Sequence, residues 1–457
     1  MKHAFDAIVV GAGQAGPSLA GRFAAAGQRV AIVERKLFGG TCVNTGCMPT
    51  KALVASAYAA HLARRARDFG VAIDAPVRID MPAVKARKDK VSNDARHGVE
   101  TWLKHMKGCT VFEGHARFVS ATELSLGEDT LSAPRIFVNV GGRAAVPPLP
   151  GVEDVKFLTN TSILELDQVP RHLVIVGGSY IGLEFAQMYR RFGSQVTVIE
   201  MSPRLIARED EDVSEAIRGI FENEGIAVRT SAKCITLEKG PAGVRAGVDC
   251  QAGEPEVSGS HVLLAVGRRP NTDDLGLEKA GVETDAHGYI RVDDELRSSV
   301  PGIWAMGDCN GRGAFTHTAY NDFEIVAANL LDQDRRRVSD RIPCYALYID
   351  PPLGRVGLSE AQARAAGRRI EVGQRPMARV GRAVEKGETA GFMKVVVDAD
   401  TRAILGASIL GVGGDEAIHA ILDTMAAGAT GDALRRTMHI HPTVSELIPT
   451  MLGDLKP

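Results

Sequence analysis

One pattern occurs twice in the chain and limits its fold more than any other feature. Ala7-Ile8-Val9-Val10 leads into Gly11-Ala12-Gly13-Gln14-Ala15-Gly16, then a helical stretch to about Ala26, then Val30-Ala31-Ile32-Val33 ending in Glu34. Leu173-Val174-Ile175-Val176 leads into Gly177-Gly178-Ser179-Tyr180-Ile181-Gly182, then a helical stretch to Phe192, then Val196-Thr197-Val198-Ile199 ending in Glu200. Each reads as a buried strand, a glycine-rich turn, a helix and a second strand closed by an acid. That is the βαβ layout of a dinucleotide-binding unit. The glycines allow a tight turn and close backbone approach to a pyrophosphate. The helix N-terminus offers it free N–H groups and a positive dipole end. A lone GxGxxG is a weak signal, because an ordinary glycine-rich turn has the same letters. Two copies, each after a strand and each with an acid about 20 residues on, are a strong one. The second copy departs at Ser179, where the middle glycine usually sits, so backbone approach there is expected to be looser.

The chain has 457 residues, too many for one core, and two to four domains are expected. Pro147, Pro148 and Pro150 make the stretch 141–151 a candidate crossing linker, and the run from Leu263 to Asn271 reads as a strand leaving into a second crossing. After Asp340 strand-like runs (393–397, 404–410) precede a helical 415–428, which suggests a separate α+β domain. A net charge of −2 gives no attraction for a polyanion, so neither nucleic acid nor an anionic membrane is expected as a partner. No apolar run approaches the roughly 20 residues of a membrane span. The N-terminal residues lead straight into a strand without a secretory pattern, which points to a cytoplasmic protein.

The cysteines stand at 42, 47, 109, 234, 250, 309 and 344. An odd, scattered set argues against a structural disulfide framework. Cys109, Cys234, Cys250, Cys309 and Cys344 read as small apolar fillers. Cys42 and Cys47 alone are close in sequence, within Gly39-Gly40-Thr41-Cys42-Val43-Asn44-Thr45-Gly46-Cys47-Met48-Pro49-Thr50-Lys51. A helical run is expected over 52–64, with Cys47 and Pro49 just before it. A cysteine at a helix N-terminus with a lysine one turn on should favour its thiolate. Two zinc ligands are the competing reading of the pair, but no CxxC or HxxxH partner accompanies them, and no metal is expected.

Taken together these motifs resemble the pyridine nucleotide-disulfide oxidoreductases, the family of lipoamide dehydrogenase, glutathione reductase and mercuric reductase. The resemblance spans the whole chain. It includes the cysteine segment, both glycine fingerprints, Gly267-Arg268-Arg269-Pro270-Asn271, Ile303-Trp304-Ala305-Met306-Gly307-Asp308 and His441-Pro442-Thr443-Val444-Ser445-Glu446. It implies an α/β fold with two Rossmann-like domains, for FAD and NAD(P), and a C-terminal α+β dimerisation domain. The segments would be 1–150 (first part of the FAD domain), 151–270 (NAD(P) domain), 271–340 (second part of the FAD domain) and 341–457 (interface domain).

The resemblance also implies roles. FAD would lie along Gly11, Gly13, Ala15 and Gly16, with Glu34 on its adenosine ribose and Asp308 on its ribityl chain. Arg35, Gly40, Thr41, Ala116, Gly307, Phe315, Thr316 and His317 would complete that site. Lys51 would lie near the flavin and pair with Glu184. The nicotinamide nucleotide would take Gly177, Gly178, Ile181, Gly182, Glu200 and Gly267, with Tyr180 covering the nicotinamide pocket. Glu200 favours NADH over NADPH, because a carboxylate accepts from a ribose 2′-OH and repels a 2′-phosphate. Arg204 partly offsets this and leaves NADPH open. Cys47 would face the flavin and Cys42 the substrate. His441 from the other subunit of a homodimer would act as acid/base, supported by Glu446. By themselves, Asp308 reads as well as a turn or capping aspartate, and His441 as a structural histidine before proline; His439 is assigned to structure.

The implied function is NAD(P)H-driven reduction of a small disulfide through FAD and the Cys42–Cys47 pair. Dihydrolipoamide dehydrogenase is one alternative, and a mercuric reductase-like metal-ion reductase is another. The stretch from Pro351 to Leu358 resembles the mercuric reductase branch, but the tail after Gly453 lacks paired cysteines and no N-terminal metal-binding domain is present. A redox-responsive flavoprotein with little turnover is a third alternative, disfavoured by the complete set of chemical residues.

Overall fold

The computed structural model describes residues 1–249 and 254–457. Cys250 lies outside the described residues. Both glycine motifs stand where the pattern places them, each at the C-terminal end of a central parallel strand. The first sheet has the order Ile303–Ala305, Ile136–Val138, Ala7–Val10, Val30–Glu34, Cys109–Glu113, all parallel. The second runs Phe157–Leu158, His261–Leu264, His172–Val176, Gln195–Ile199, Ala227–Arg229, also parallel throughout. Central strands covered on both faces must be apolar throughout. Ala7–Val10 is buried at all four positions, and His172–Val176 at all but its first.

Why glycine recurs at these turns is a matter of clearance. Gly11 (φ +106°) and Gly177 (φ +114°) take backbone angles an L side chain rarely adopts. A Cβ on Gly16 would sit 2.2 Å from the carbonyl oxygen of Gly11, and one on Gly182 would sit 2.0 Å from that of Gly177. The third glycine of each motif therefore lets the helix (Gly16–Ala25 or Tyr180–Phe192) lie against its own strand. Ser179 is accommodated as the residue before the second helix, in an extended conformation.

The two crossings meet as a ribbon: Gly142–Ala144 pairs antiparallel with Arg268–Pro270. A C-terminal antiparallel sheet has the order Cys344–Leu347, Leu353–Gly357, Ile404–Leu410, Phe392–Asp398, Ile370–Pro376. Short helices Gly414–Ala417 and His419–Ala426 pack beside it, so the helical stretch expected over 415–428 is broken in two. Among the described residues no helix is long and apolar enough to cross a membrane.

Two expectations need correction. The helix expected from Ala52 begins at Cys47 and runs Cys47–Arg64, so Cys47 belongs to its first turn. Pro49 does not delay it, because first-turn N–H groups have no intrahelical acceptor and a missing one costs nothing there. Cys234 is no core filler. It is exposed and sits at φ +50° where the strand Lys233–Gly240 shifts register against its neighbour.

Clearance at the glycine turns makes a measurable prediction. Gly182→Ala should cost roughly 1–3 kcal/mol, as overpacked sites do, and weaken NAD⁺ binding, read by denaturant unfolding and calorimetry. Gly219→Ala, where an added Cβ meets nothing within 4 Å, should do neither.

Candidate active site

Both cysteines stand at the entry to one helix. Cys42 lies in the short helix Gly40–Asn44 and Cys47 begins the helix Cys47–Arg64, with Gly46 between them. Asn44 ties the segment down by donating from its side chain to the carbonyls of Phe38 and Gly40, both at 2.9 Å. Both sulfurs are free thiols, Cys42 half-buried and Cys47 exposed.

The pair is electrostatically unequal. A hydrogen bond from Cys42 lowers the Cys47 thiol to about 6, aided by Thr316 and by the Lys51 charge against the cost of burial. The same hydrogen bond, burial and the Cys47 charge push the Cys42 thiol up. The reduced pair thus holds one proton on Cys42 and a thiolate on Cys47. Thr316 Oγ1 lies 3.2 Å from Cys47 Sγ, at the start of the helix Thr316–Ala327.

Lys51 is one turn beyond Cys47. Its ammonium donates to both oxygens of Glu184, at 2.9 and 2.8 Å. Glu184 is buried on the helix Tyr180–Phe192, and one of its oxygens also accepts from the Tyr348 backbone N–H at 3.1 Å. Tyr348 was not singled out from sequence. Its ring lies 4.6 Å below the Lys51 ammonium, so it touches both members of the pair.

A cavity of about 1200 Å³ is lined by Glu34, Arg35 and Ala116, by Gly11, Gly13, Gly40 and Thr41, and by Cys42, Cys47, Lys51 and Glu184. Gly307, Asp308, Phe315, Thr316 and His317 wall it too. Ala15 and Gly16 lie behind this wall, buried. A second crevice of about 2790 Å³ is lined by Gly177, Gly178, Tyr180, Ile181, Glu200, Gly267, Arg268 and Phe315, with Gly182 behind it. Tyr180, Ile181, Arg268, Asp308, Phe315 and His317 wall both.

The two acids are held alike. Glu34 accepts from the N–H of Ala12 and of Lys36, each at 2.9 Å. Glu200 accepts from the N–H of Gly178 at 2.6 Å and of Ser202 at 2.7 Å. Burial raises the Asp308 carboxyl, and Arg268 at 3.3 Å opposes this. Arg268 also donates to the Gly142 carbonyl, at 2.5 Å, which anchors the crossing ribbon beside Asp308. Asn139, likewise missed, donates to the Gly11 carbonyl at 3.1 Å and steadies the first turn. Tyr348 and Asn139 carry no pattern readable from one sequence, whereas Arg268 stands in the Gly267–Asn271 motif without a role assigned to it there.

His441 stands apart. Its Nδ1 lies 2.8 Å from Glu446 Oε2, as the pairing requires, but its side chain is 80% exposed and lines neither cavity. Met438 and Ile440 beside it are 95% and 79% exposed. Among the described residues no group of three or more His, Cys, Asp or Glu side chains is placed to hold a metal ion.

Comparison with known proteins matches this geometry. Residues 5–322 fit the pyridine nucleotide-disulphide oxidoreductase model, and residues 344–452 fit the dimerisation domain of the same family. The chain belongs to the pyridine nucleotide-disulphide oxidoreductases. It is 35% identical to a probable pyridine nucleotide-disulfide oxidoreductase, RclA, of Escherichia coli, over 99% of both chains. It is 36% identical to a mercuric reductase of Streptomyces lividans, over 97% of this chain and 94% of that one. A solved structure of the HOCl-induced flavoprotein disulfide reductase RclA from Escherichia coli superposes with a TM-score of 0.89 at 34% identity, covering 98% of this chain and 99% of that one.

The chain is thus an oxidoreductase that uses FAD and a nicotinamide nucleotide, and its C-terminal part is a dimerisation domain. The cavities fit these cofactors. A Cβ on Gly178 would meet Leu205 at 2.6 Å and Glu200 at 2.9 Å, and one on Gly40 would meet the Gly13 backbone at 2.8 Å. Both cradles therefore depend on bare backbone. The acid at each strand end is held in place by two backbone N–H groups.

The unequal thiols give a pH prediction. In the FAD-loaded enzyme with its dithiol reduced, thiolate-to-flavin long-wavelength absorbance should persist above about pH 6 and fade below it. A depressed pKa keeps the thiolate at pH values where an ordinary thiol is protonated. Lys51→Met should shift the midpoint upward, as followed by spectrophotometric titration.

Proposed function

We propose that the chain reduces a small disulfide at the expense of NADH, through the Cys42–Cys47 pair. The observation that carries this reading is the electrostatically unequal thiol pair in the cavity that Glu34 also lines, beside the Lys51–Glu184 ion pair. The balance is NADH + H⁺ + RSSR′ → NAD⁺ + RSH + R′SH. When bound, FAD supplies the two-electron relay between nicotinamide and thiols.

The protein residues do the rest. Glu200 and the turn at Gly177 orient the donor, with NADH preferred because the carboxylate repels a 2′-phosphate. Lys51 holds positive charge beside Cys47, where negative charge must be stabilised. Cys42, the protonated partner, gives its proton to the partner subunit's His441 and attacks one sulfur of the substrate. A mixed disulfide forms, and the leaving thiolate takes that proton back. Cys47 then attacks Cys42 Sγ, closing the Cys42–Cys47 disulfide and releasing the second product as a thiolate that takes up the solvent H⁺ counted in the balance. Glu446 keeps the imidazole oriented throughout. Exposure of His441 together with Met438 and Ile440 supports a site completed across a two-fold axis.

NADH-driven turnover on lipoamide, glutathione disulfide, cystine, coenzyme A disulfide and Hg²⁺ tests the reaction class. Turnover of at least one disulfide is expected. A FAD-loaded enzyme that consumes NADH with none of them would overturn the reading. Cys42→Ser should abolish that turnover and keep the long-wavelength absorbance, whereas Cys47→Ser should abolish both.

Subunit mixing tests the shared site. Cys42→Ser and His441→Ala chains, refolded together, should form hybrid dimers with one intact site in two. With random pairing, about a quarter of wild-type activity should return. Activity no higher than that of the separate variants, with FAD bound, would sink the shared-site model.

A further inference from the structure

We propose that Tyr345 is the seat of Tyr180: it holds that ring across the passage between the two cavities and so sets how readily a nicotinamide enters. This rests on the reading of Tyr180 as the ring a nicotinamide must displace. Tyr180 begins the helix Tyr180–Phe192 and walls both cavities. Its ring meets Tyr345 edge-on, with centroids 5.4 Å apart and planes at 86°. It meets Phe315 in the same way, at 5.7 Å and 88°. Tyr345 and Phe315 are themselves stacked, 5.6 Å apart with planes 13° from parallel. Two parallel rings thus form a platform against which Tyr180 stands upright, in the T-shaped geometry aromatic pairs favour. The Arg208 guanidinium lies 5.4 Å from the Tyr180 ring centroid.

What Tyr180 lacks is a directional anchor. Its hydroxyl is sealed from solvent and makes no hydrogen bond in normal geometry, although Tyr345 and Arg208 lie close to it. A buried hydroxyl without a partner is a cost that swinging the ring into the cavity relieves. The ring is therefore held by non-directional packing, chiefly against Tyr345 and Phe315 with Arg208 over its face, and the position of the aromatic platform decides where it rests.

Tyr345 has the anchor that Tyr180 lacks. Its hydroxyl donates to Glu209 Oε1, and the other oxygen of Glu209 faces Arg355 Nε at 3.3 Å. Tyr345 and Arg355 are direct cross-strand partners in the C-terminal sheet, so one carboxylate clamps both members of the pair. Glu209 is 2% exposed and Arg355 4%, which keeps water from competing. The next residue, Asp210, accepts from the N–H groups of Glu360 and Ala361, both at 3.0 Å, and pairs with Lys394 at 3.2 Å. Consecutive acids thus fasten the unit carrying Tyr180 to the sheet carrying Tyr345. Tyr345 is a positioning residue, acting on the donor through Tyr180.

The test is NAD⁺ binding by the oxidised, FAD-loaded protein, measured by calorimetry on wild type, Tyr180→Ala, Tyr345→Ala and the double variant. A ligand that must open a closed site binds more weakly by the fraction of open molecules, so removing either the ring or its seat should tighten binding about 3–10-fold. The double variant should bind no more tightly than Tyr180→Ala alone. Tyr345→Phe, which keeps the platform and loses the bond to Glu209, should give a smaller change of the same sign. An unchanged affinity in Tyr345→Ala, or effects that simply add, would overturn the seat. An unchanged affinity in Tyr180→Ala would instead overturn the underlying reading of Tyr180. Should Tyr345→Ala fail to hold FAD, Tyr345→Phe in the wild-type and Tyr180→Ala backgrounds decides by the same coupling: an effect that survives loss of Tyr180 overturns the proposal.

Discussion

Lys51 and Glu184 join the two halves of this molecule where the chemistry lies. Lys51 is one turn into the helix that Cys47 begins, and Glu184 is one turn into the helix that Tyr180 begins. The pair therefore sets the distance between the thiols and the nicotinamide side. A buried carboxylate is tolerated only when its oxygens are satisfied. Glu184 meets this condition with two bonds from Lys51 and one from the Tyr348 backbone. Three regions of the chain, around 51, 184 and 348, thus converge on one carboxylate. The charge that favours the Cys47 thiolate is fixed by the same contact.

Duplication gives the fold its economy. Each parallel sheet presents a glycine turn, a helix N-terminus and an acid at the same edge. In each the acid is pinned by the N–H of the residue after the first glycine and by an N–H two residues beyond itself. The walls common to the two cavities come partly from the second motif, through Tyr180 and Ile181, and partly from residues between or after these units: Arg268 on the crossing ribbon, Asp308 after a strand and Phe315 before a helix. Arg268, Asp308 and Phe315 belong to neither glycine motif. They become neighbours because the crossing segments pair antiparallel and close the space between the sheets.

Much of this was legible in the chain because the signals are local. A glycine whose Cβ would collide with a carbonyl two or three angstroms away can be read from spacing alone, since strand, turn and helix are consecutive. The helix was expected only from Ala52 but begins at Cys47, because a proline in the first turn is compatible with helix and lets that turn include Pro49. Cys234 was misread because apolar composition says nothing about a bulge that turns one residue outward. His441 and Glu446, five residues apart, are found together as their spacing suggested, yet their distance from the thiols within one chain could not be inferred from it.

The sequence by itself determined the two dinucleotide units, the thiol pair and the family, because each depends on residues adjacent along the chain and on the hard geometry of turns. The tertiary structure alone brought Thr316 to Cys47, adding its hydrogen bond to the Cys42 bond and the Lys51 charge that neighbouring residues already supply. It alone also brought Glu209 to Tyr345 and Arg355, and Tyr348 beneath Lys51. Such contacts join residues more than a hundred positions apart, and no periodicity or motif encodes them. They exist only once two sheets and a third domain are packed, and burial then makes each unpaired polar group costly enough to fix its partner.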